Sequence, residues 1–181
     1  PSRTVGDIGV KGGLRAFNLD LSEHLKSEAV IVPVTLGPHL PEGFAGDKQP
    51  ALMGYFETAA VAALYGLILP TGEMWEAAAG DLRDERYKDE KELRRVAHFY
   101  PAEPRRTIDV GTKEPNRFGL YDMLGQVREA MANRYGDSED REFRGGSWLL
   151  DPEDVRAAYR YDSLPVYWSG VVGCRFGRQD S

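Results

Sequence analysis

The C-terminal part of the chain carries the feature that most constrains its fold. It begins with Arg144-Gly145-Gly146-Ser147-Trp148 and closes with Gly173-Cys174-Arg175, and glycine, arginine and tryptophan are tightly spaced there. Between these ends lie tyrosine, tryptophan, serine and glycine in a mix typical of binding loops. Rigid aromatic rings give such loops contact area at low entropy cost, and small residues adapt to a ligand. The ends therefore indicate scaffold, and the middle indicates a contact surface.

The composition is that of one folded domain. The chain has 181 residues, of which 41% are hydrophobic and 29% charged. We expect a single domain over residues 1–181, in which residues 1–28 could form an N-terminal arm. The net charge of −6 argues against sequence-independent binding to nucleic acid, and we expect no nucleic-acid partner. No apolar run is long enough to span a bilayer, so membrane insertion is not expected.

The sequence says little about localisation, which stays unknown. No secretory signal is visible, but the chain begins at Pro1 without a methionine, so an upstream segment can be missing. We expect a soluble protein, with display on a cell surface or a virion left open. Cys174 is the single cysteine, which excludes an intramolecular disulfide and a multi-cysteine metal site.

Local patterns predict both strands and helices. A β-branched run at 29–34 predicts a strand, and residues 37–50 predict a loop because glycine and proline punctuate them. Apolar residues at helical spacing predict a helix over 54–64, ended by Gly66. A second helix is predicted over 72–80, where the preceding threonine can cap its first turn.

The rest of the chain predicts shorter elements. Alternating charges at 81–95 predict a solvated loop or a short exposed helix. Strands are predicted at 127–132 and 171–176. Side chains at 154–162 alternate in the way expected for the two faces of a strand. This pattern predicts another strand, with Val155, Ala157, Tyr159 and Tyr161 on one face.

Three ordered blocks lie between residues 50 and 178: LPTGEMWEAA at 69–78, NRFGLYDMLG at 116–125, and RGGSW at 144–148 with RAAYR at 156–160 and GCR at 173–175. Together they resemble the formylglycine-generating-enzyme (sulfatase-modifying-factor) family. The resemblance implies a C-type-lectin-like fold of the α+β class, with short twisted antiparallel strands, two helices and extensive loops. It also implies that Trp75 and Trp148 are core residues, and that Arg156 and Arg160 are structural and do not grip a ligand carboxylate.

The chain departs from the family where the chemistry would be. The oxidising enzymes of the family use a cysteine pair near the RAAYR block, but residues 156–158 carry no thiol. Cys174 stands where the family has phenylalanine, and we expect it to be a small buried side chain. Because a thiolate is the nucleophile and metal ligand in such chemistry, we expect no enzyme activity and no catalytic residue. Ser147 shares no motif with a histidine, so it is expected to bond backbone in a turn.

We expect no metal and no cofactor, with calcium as the open alternative. Relatives hold calcium with the asparagine of GNVWEW, where this chain has GQVREA at 125–130, and Gln126 is longer. Asp137, Glu139 and Asp140 offer the oxygen ligands that calcium favours. A solvated acidic turn is the favoured interpretation of these three residues.

The same fold and terminal block occur in variable proteins of diversity-generating retroelements, which this chain resembles most. In those proteins adenines of a template are mutated. Adenine-rich codons therefore come to encode many different residues, while the residues of the scaffold stay the same. We predict a ligand-binding variable protein that displays a diversified C-terminal surface to a protein or cell-surface ligand. A divergent oxidase and a non-catalytic structural module of a larger protein are the alternatives. The predicted contact set is Leu149, Leu150, Asp151, Val155, Tyr159, Tyr161, Asp162, Ser163, Leu164, Val166, Tyr167, Trp168, Ser169 and Gly170.

Overall fold

The computed structural model describes residues 15–20, 31–36, 48–167 and 169–178. Most of the loop predicted at 37–50, and Trp168 of the contact set, lie outside the described residues. Strands β1 (Arg15–Asp20) and β2 (Ile31–Leu36) pair antiparallel, with Arg15 opposite Leu36. The β-branched run therefore forms a strand over its described residues, as predicted.

Both predicted helices form, because their ends carry the signals that start and stop a helix. Helix α1 (Tyr55–Tyr65) starts where the Gly54 N–H donates to Glu57 Oε2 at 2.8 Å, and it ends at Gly66, whose φ is +64°. Helix α2 (Gly72–Ala79) starts where Thr71 Oγ1 accepts a hydrogen bond from the Met74 N–H at 3.2 Å.

The charged stretch at 81–95 is helical but is not fully solvated. Two 3-10 turns, Gly80–Arg83 and Glu85–Lys88, precede helix α3 (Glu90–Val96). Across the stretch 81–95 the charged side chains are mainly exposed, whereas Leu82, Tyr87 and Leu93 are buried. The short exposed helix is confirmed, but the stretch also fills one side of the core.

The remaining strands are short and belong to two sheets. Strand β3 (Ala97–His98) pairs parallel with β4 (Leu124–Gly125). The larger sheet has the order β7-β6-β5-β8, in which only β5 and β8 run parallel. Its strands are β5 (Arg128–Arg134), β6 (Arg141–Arg144), β7 (Tyr161–Ser163) and β8 (Val172–Gly173).

Two apolar clusters lie on opposite faces of this sheet. One surrounds Trp75 of α2, and the other surrounds Tyr55 of α1. Successive residues of β5 divide between them, since Glu129 bonds Trp75 and Ala130 belongs to the Tyr55 cluster. After β6 the chain leaves the sheet, returns to pair with β6 as the edge strand β7, and enters the sheet again at β8 beside β5. In the described parts of the chain, no helix is long and apolar enough to cross a membrane.

Candidate ligand-binding surface

Arg144 anchors the start of the terminal segment inside the core. Its side chain is 0% exposed and forms ion pairs with Glu142 and with Glu76 Oε2 at 3.0 Å. Its Nη1 also donates to the Ala157 carbonyl at 3.0 Å. A buried guanidinium with carboxylate and carbonyl partners fixes β6, α2 and the terminal segment together. Arg144 therefore has the scaffold role that the sequence indicated.

The glycine pair after Arg144 is required by space and backbone angle. Gly145 has a φ of +90°, and a Cβ there would lie 2.8 Å from the Met123 carbonyl oxygen. Gly146 has a φ of +74°, and a Cβ there would lie 2.9 Å from the Val155 side chain. Ser147 is fully buried, and its Oγ has no hydrogen-bond partner among the described residues. The predicted backbone bond of Ser147 is therefore wrong, because the turn encloses the hydroxyl without an acceptor.

The segment closes on the same sheet through Gly173 and Arg175. A Cβ on Gly173 of β8 would lie 2.7 Å from the Ala51 carbonyl oxygen and 2.8 Å from the Val127 side chain, so only glycine fits there. Arg175 Nη2 donates to Glu129 Oε1 at 2.8 Å, and Trp75 Nε1 donates to Glu129 Oε2 at 2.6 Å. These buried contacts confirm both ends of the segment as frame, with Trp75 in the core.

Between the frame ends the backbone is mostly irregular. The strand predicted at 154–162 is wrong, since a 3-10 turn covers Pro152–Asp154 and only β7 is extended. Arg156 donates to the Tyr87 carbonyl and pulls the chain away from an extended path. That contact is structural, as expected for Arg156, while Arg160 is 48% exposed and lies 3.6 Å from Glu76.

Val155 does not belong to the contact surface. It is 0% exposed, sits against Gly146 and packs in the Trp75 cluster. Its predicted role as a ligand contact is wrong, because the 3-10 turn directs it inward. Leu150 is also partly buried against this cluster.

The other predicted contact residues that the structure describes lie wholly or partly at the surface. Large apolar side chains are exposed at Leu149 (55%), Leu164 (60%), Val166 (73%) and Tyr167 (38%). Asp151 and Asp162 are exposed. The partly exposed members are Leu150, Tyr159, Tyr161, Ser163, Ser169 and Gly170. We call the set without Val155 and Trp168 the contact surface; whether it binds a ligand stays a prediction.

Trp148 joins the two ends of this surface. Its Nε1 donates to the Gly170 carbonyl at 3.1 Å, and its backbone N–H donates to the Gln126 carbonyl at 3.0 Å. The ring is partly buried against the Tyr55 cluster, so it is less enclosed than predicted. Leu149 and the loop before Gly170 are thereby held on one rigid support.

Arg128 lies beneath the contact surface and was not predicted as a functional residue. It is 8% exposed, and its guanidinium carbon lies 3.7 Å from the centroid of the Tyr161 ring. Burial raises the pKa of Tyr159, Asp154 adds to the increase, and the charge of Arg128 opposes it. The signal that could have identified Arg128 is its position in GQVREA, where the family has tryptophan.

Cys174 lines a separate cavity of about 530 Å³ with Tyr121, Asp122 and Arg175. It is partly exposed, so it is less buried than expected. Burial and then the nearby Glu129 carboxylate raise the pKa of the Cys174 thiol to about 12. The thiol is therefore protonated near neutral pH, which opposes a nucleophilic role.

The calcium alternative gains no geometric support among the described residues. Glu139 of the acidic turn bonds Arg134 at 2.6 Å, and both amide atoms of Gln126 bond the Ile108 backbone. Within the described ranges, no three histidine, cysteine or acidic residues gather in a way that could hold a metal ion. His98 is buried, its Nε2 lies 2.8 Å from the Arg106 carbonyl oxygen, and burial lowers its pKa. The absence of a cofactor stays a prediction.

Solved structures share this architecture. Treponema denticola variable protein 1 aligns with a TM-score of 0.64 at 17% identity, covering 96% of this chain and 91% of that one. PvdO from Pseudomonas aeruginosa aligns with a TM-score of 0.64 at 22% identity, covering 95% of this chain and 70% of that one. The fold is therefore of the α+β class and C-type-lectin-like, as the sequence blocks implied.

The family follows from the sequence match. Residues 40–179 match the sulfatase-modifying factor enzyme 1-like domain, and the chain belongs to that family. Curated relatives include the proteins named serine/threonine-protein kinase pkn1 of Chlamydia pneumoniae, 31% identical, and of Chlamydia caviae, 28% identical. Each alignment spans 151 residues, 72% of this chain and 23% of the relative. The chain thus spans less than a quarter of the length of these relatives.

Proposed function

We propose that this chain is a ligand-binding variable protein of a diversity-generating retroelement, and that its contact surface recognises a protein without catalysing a reaction. The observation that supports the proposal is the contrast between the ends and the middle of the terminal segment, residues 144–175. Its ends are buried frame, whereas Leu149, Leu164, Val166 and Tyr167 between them expose apolar surface. Exposed apolar and aromatic side chains on a rigid support are suited to binding a protein.

The likeness to a protein named a variable protein supports this proposal at the level of fold. The chemistry of the thiol supports it further, because residues 156–158 carry no cysteine and the pKa of Cys174 is raised to about 12. An oxidase would need a reactive thiolate. Incubation with a cysteine-containing peptide and oxygen should therefore leave the peptide unchanged, and steady turnover would restore the enzyme alternative.

The gene locus provides the decisive test of diversification. We expect a reverse transcriptase gene nearby, together with an adenine-rich near-repeat of the segment that encodes residues 144–175. The absence of both would remove the diversification claim. This test does not depend on knowing the ligand.

A second candidate is a non-catalytic module of a longer protein. The pkn1 proteins favour it, because the matched region is 23% of each of them. Reading the gene on both sides of the coding segment distinguishes the two candidates. A further domain in the same reading frame, without the near-repeat, would favour the module.

A further inference from the structure

Arg128 is a buried cation without a carboxylate partner in the described part of the chain. Its Nε has no hydrogen-bond partner there, and none of the ion pairs among the described residues includes it. In contrast, Arg144 and Arg175 of the frame each form an ion pair with a glutamate. A guanidinium stays charged at any physiological pH, so Arg128 cannot relieve its burial by losing a proton.

The ring of Tyr161 offsets only part of the cost of burying this charge. The penalty for burying an unpaired ion exceeds the stabilisation that one desolvated cation–π contact supplies. The Tyr161 ring is itself held by Phe143, whose centroid lies 6.5 Å away in an edge-to-face arrangement. The guanidinium is thus fixed against the ring, and its Nε has no acceptor among the described residues.

The surroundings of Arg128 open toward the contact surface. Tyr159 and Tyr161 both belong to that surface, and both are partly exposed. Arg141 provides the contrast, since it is also a buried arginine with an unbonded Nε. It lies 4.5 Å from the ring of Tyr55, which is 1% exposed in the core beneath α1. Of these two arginines, only Arg128 has partners that an external molecule can reach.

We propose that Arg128, stacked on the ring of Tyr161, is an anion-binding position in the floor of the contact surface, and that it takes a carboxylate from an acidic segment of the protein ligand. The inference rests on the proposed function and adds the chemistry of the partner. The guanidinium can donate two parallel hydrogen bonds to one carboxylate, and a tyrosine hydroxyl can donate another.

The test follows the Nε–Hε signals of the arginines by NMR in the whole chain at constant ionic strength. The probe is N-acetyl-glutamate α-amide, which carries one carboxylate, and the neutral comparison is the corresponding glutamine compound. We expect the Arg128 signal to shift and saturate with the glutamate probe and to stay in place with the glutamine probe. The control is Arg117, an exposed arginine that also lies over a ring, 4.7 Å from the centroid of Phe118.

Variants sharpen the result. Arg128→Gln should weaken the apparent affinity for the glutamate probe at least about tenfold, while Arg117→Gln should leave it unchanged. If Arg128→Gln does not fold, the titration of the unmodified chain decides alone. The inference is overturned if the shift of the Arg128 signal with the glutamate probe does not saturate. It is also overturned if the Arg117 signal shifts equally, or if the glutamine probe shifts the Arg128 signal equally. Tighter binding of inorganic phosphate than of the glutamate probe overturns the assignment to a carboxylate. None of these outcomes affects the proposed function, because that is tested at the gene locus.

Discussion

Arg128 and Tyr161 stack across the sheet, with the guanidinium carbon 3.7 Å from the ring centroid. Arg128 begins β5 and Tyr161 begins β7, and β6 lies between these strands. The pair therefore links the frame of the domain to the contact surface above it.

A double-mutant cycle measures this link. From Arg128→Met, Tyr161→Leu and the double variant, we expect a coupling of about 1–2 kcal/mol in the free energy of unfolding, because Arg128 is only 8% exposed. The same cycle at the exposed pair Arg117 and Phe118 should give about 0.5 kcal/mol. Urea unfolding provides the values, and equal coupling in the two cycles would contradict a shielded pair.

Arg144 should be a main determinant of stability. Arg144→Met removes a fully buried cation from Glu76 and Glu142 and leaves the Glu142 carboxylate uncompensated. We expect a loss of about 3–5 kcal/mol in the free energy of unfolding. The control is Lys88→Met, which breaks an exposed pair with Glu85 and should cost less than about 1 kcal/mol. Comparable losses in the two variants would show that the buried network is not the anchor.

The contact surface and the core should respond differently to truncation. Val166→Ala changes a side chain that is 73% exposed and should leave the melting temperature nearly unchanged. Val155→Ala removes buried methyl groups and should cost about 2 kcal/mol. Thermal unfolding of both variants tests whether Val166 is a surface residue and Val155 a core residue. A large drop in the melting temperature of the Val166 variant would place Val166 in the core.

The Cys174 thiol should react slowly despite its partial exposure. With a pKa near 12, compared with 9.0 for an unperturbed thiol, its thiolate fraction at pH 8 is lower by about a thousandfold. The rate of alkylation by iodoacetamide should therefore still rise between pH 9 and about pH 11. A short unfolded cysteine peptide is the control, and its rate should level off above pH 9. Levelling of the Cys174 rate at the same pH would refute the raised pKa.

The frame could be predicted from the sequence because its signals are local. Thr71 caps α2 within one turn, Gly66 supplies the left-handed angle that ends α1, and Gly145 and Gly146 supply the tight turn before Trp148. Each of these roles depends on a few neighbouring residues. The three sequence blocks, in their order along the chain, were sufficient to indicate the family and its fold.

The course of the chain inside the terminal segment could not be predicted in the same way. Alternation at 154–162 suggested a strand, but Arg156 is tied to the Tyr87 backbone and Val155 fills the space beside Gly146. Those contacts join distant parts of the chain. The position of Arg128 beside Tyr161 depends on the order of strands in the sheet, which local periodicity does not encode.

Sequencing the coding segment in many independent isolates tests the central claim most directly. The account predicts substitutions concentrated at contact-surface residues such as Leu149, Leu164, Val166 and Tyr167, at codon positions where a template carries adenine. It also predicts that Arg144, with the glycines at 145, 146 and 173, stays constant, because these residues hold the buried frame. Substitutions spread evenly over the chain, or a contact surface that is invariant among isolates, would contradict the account.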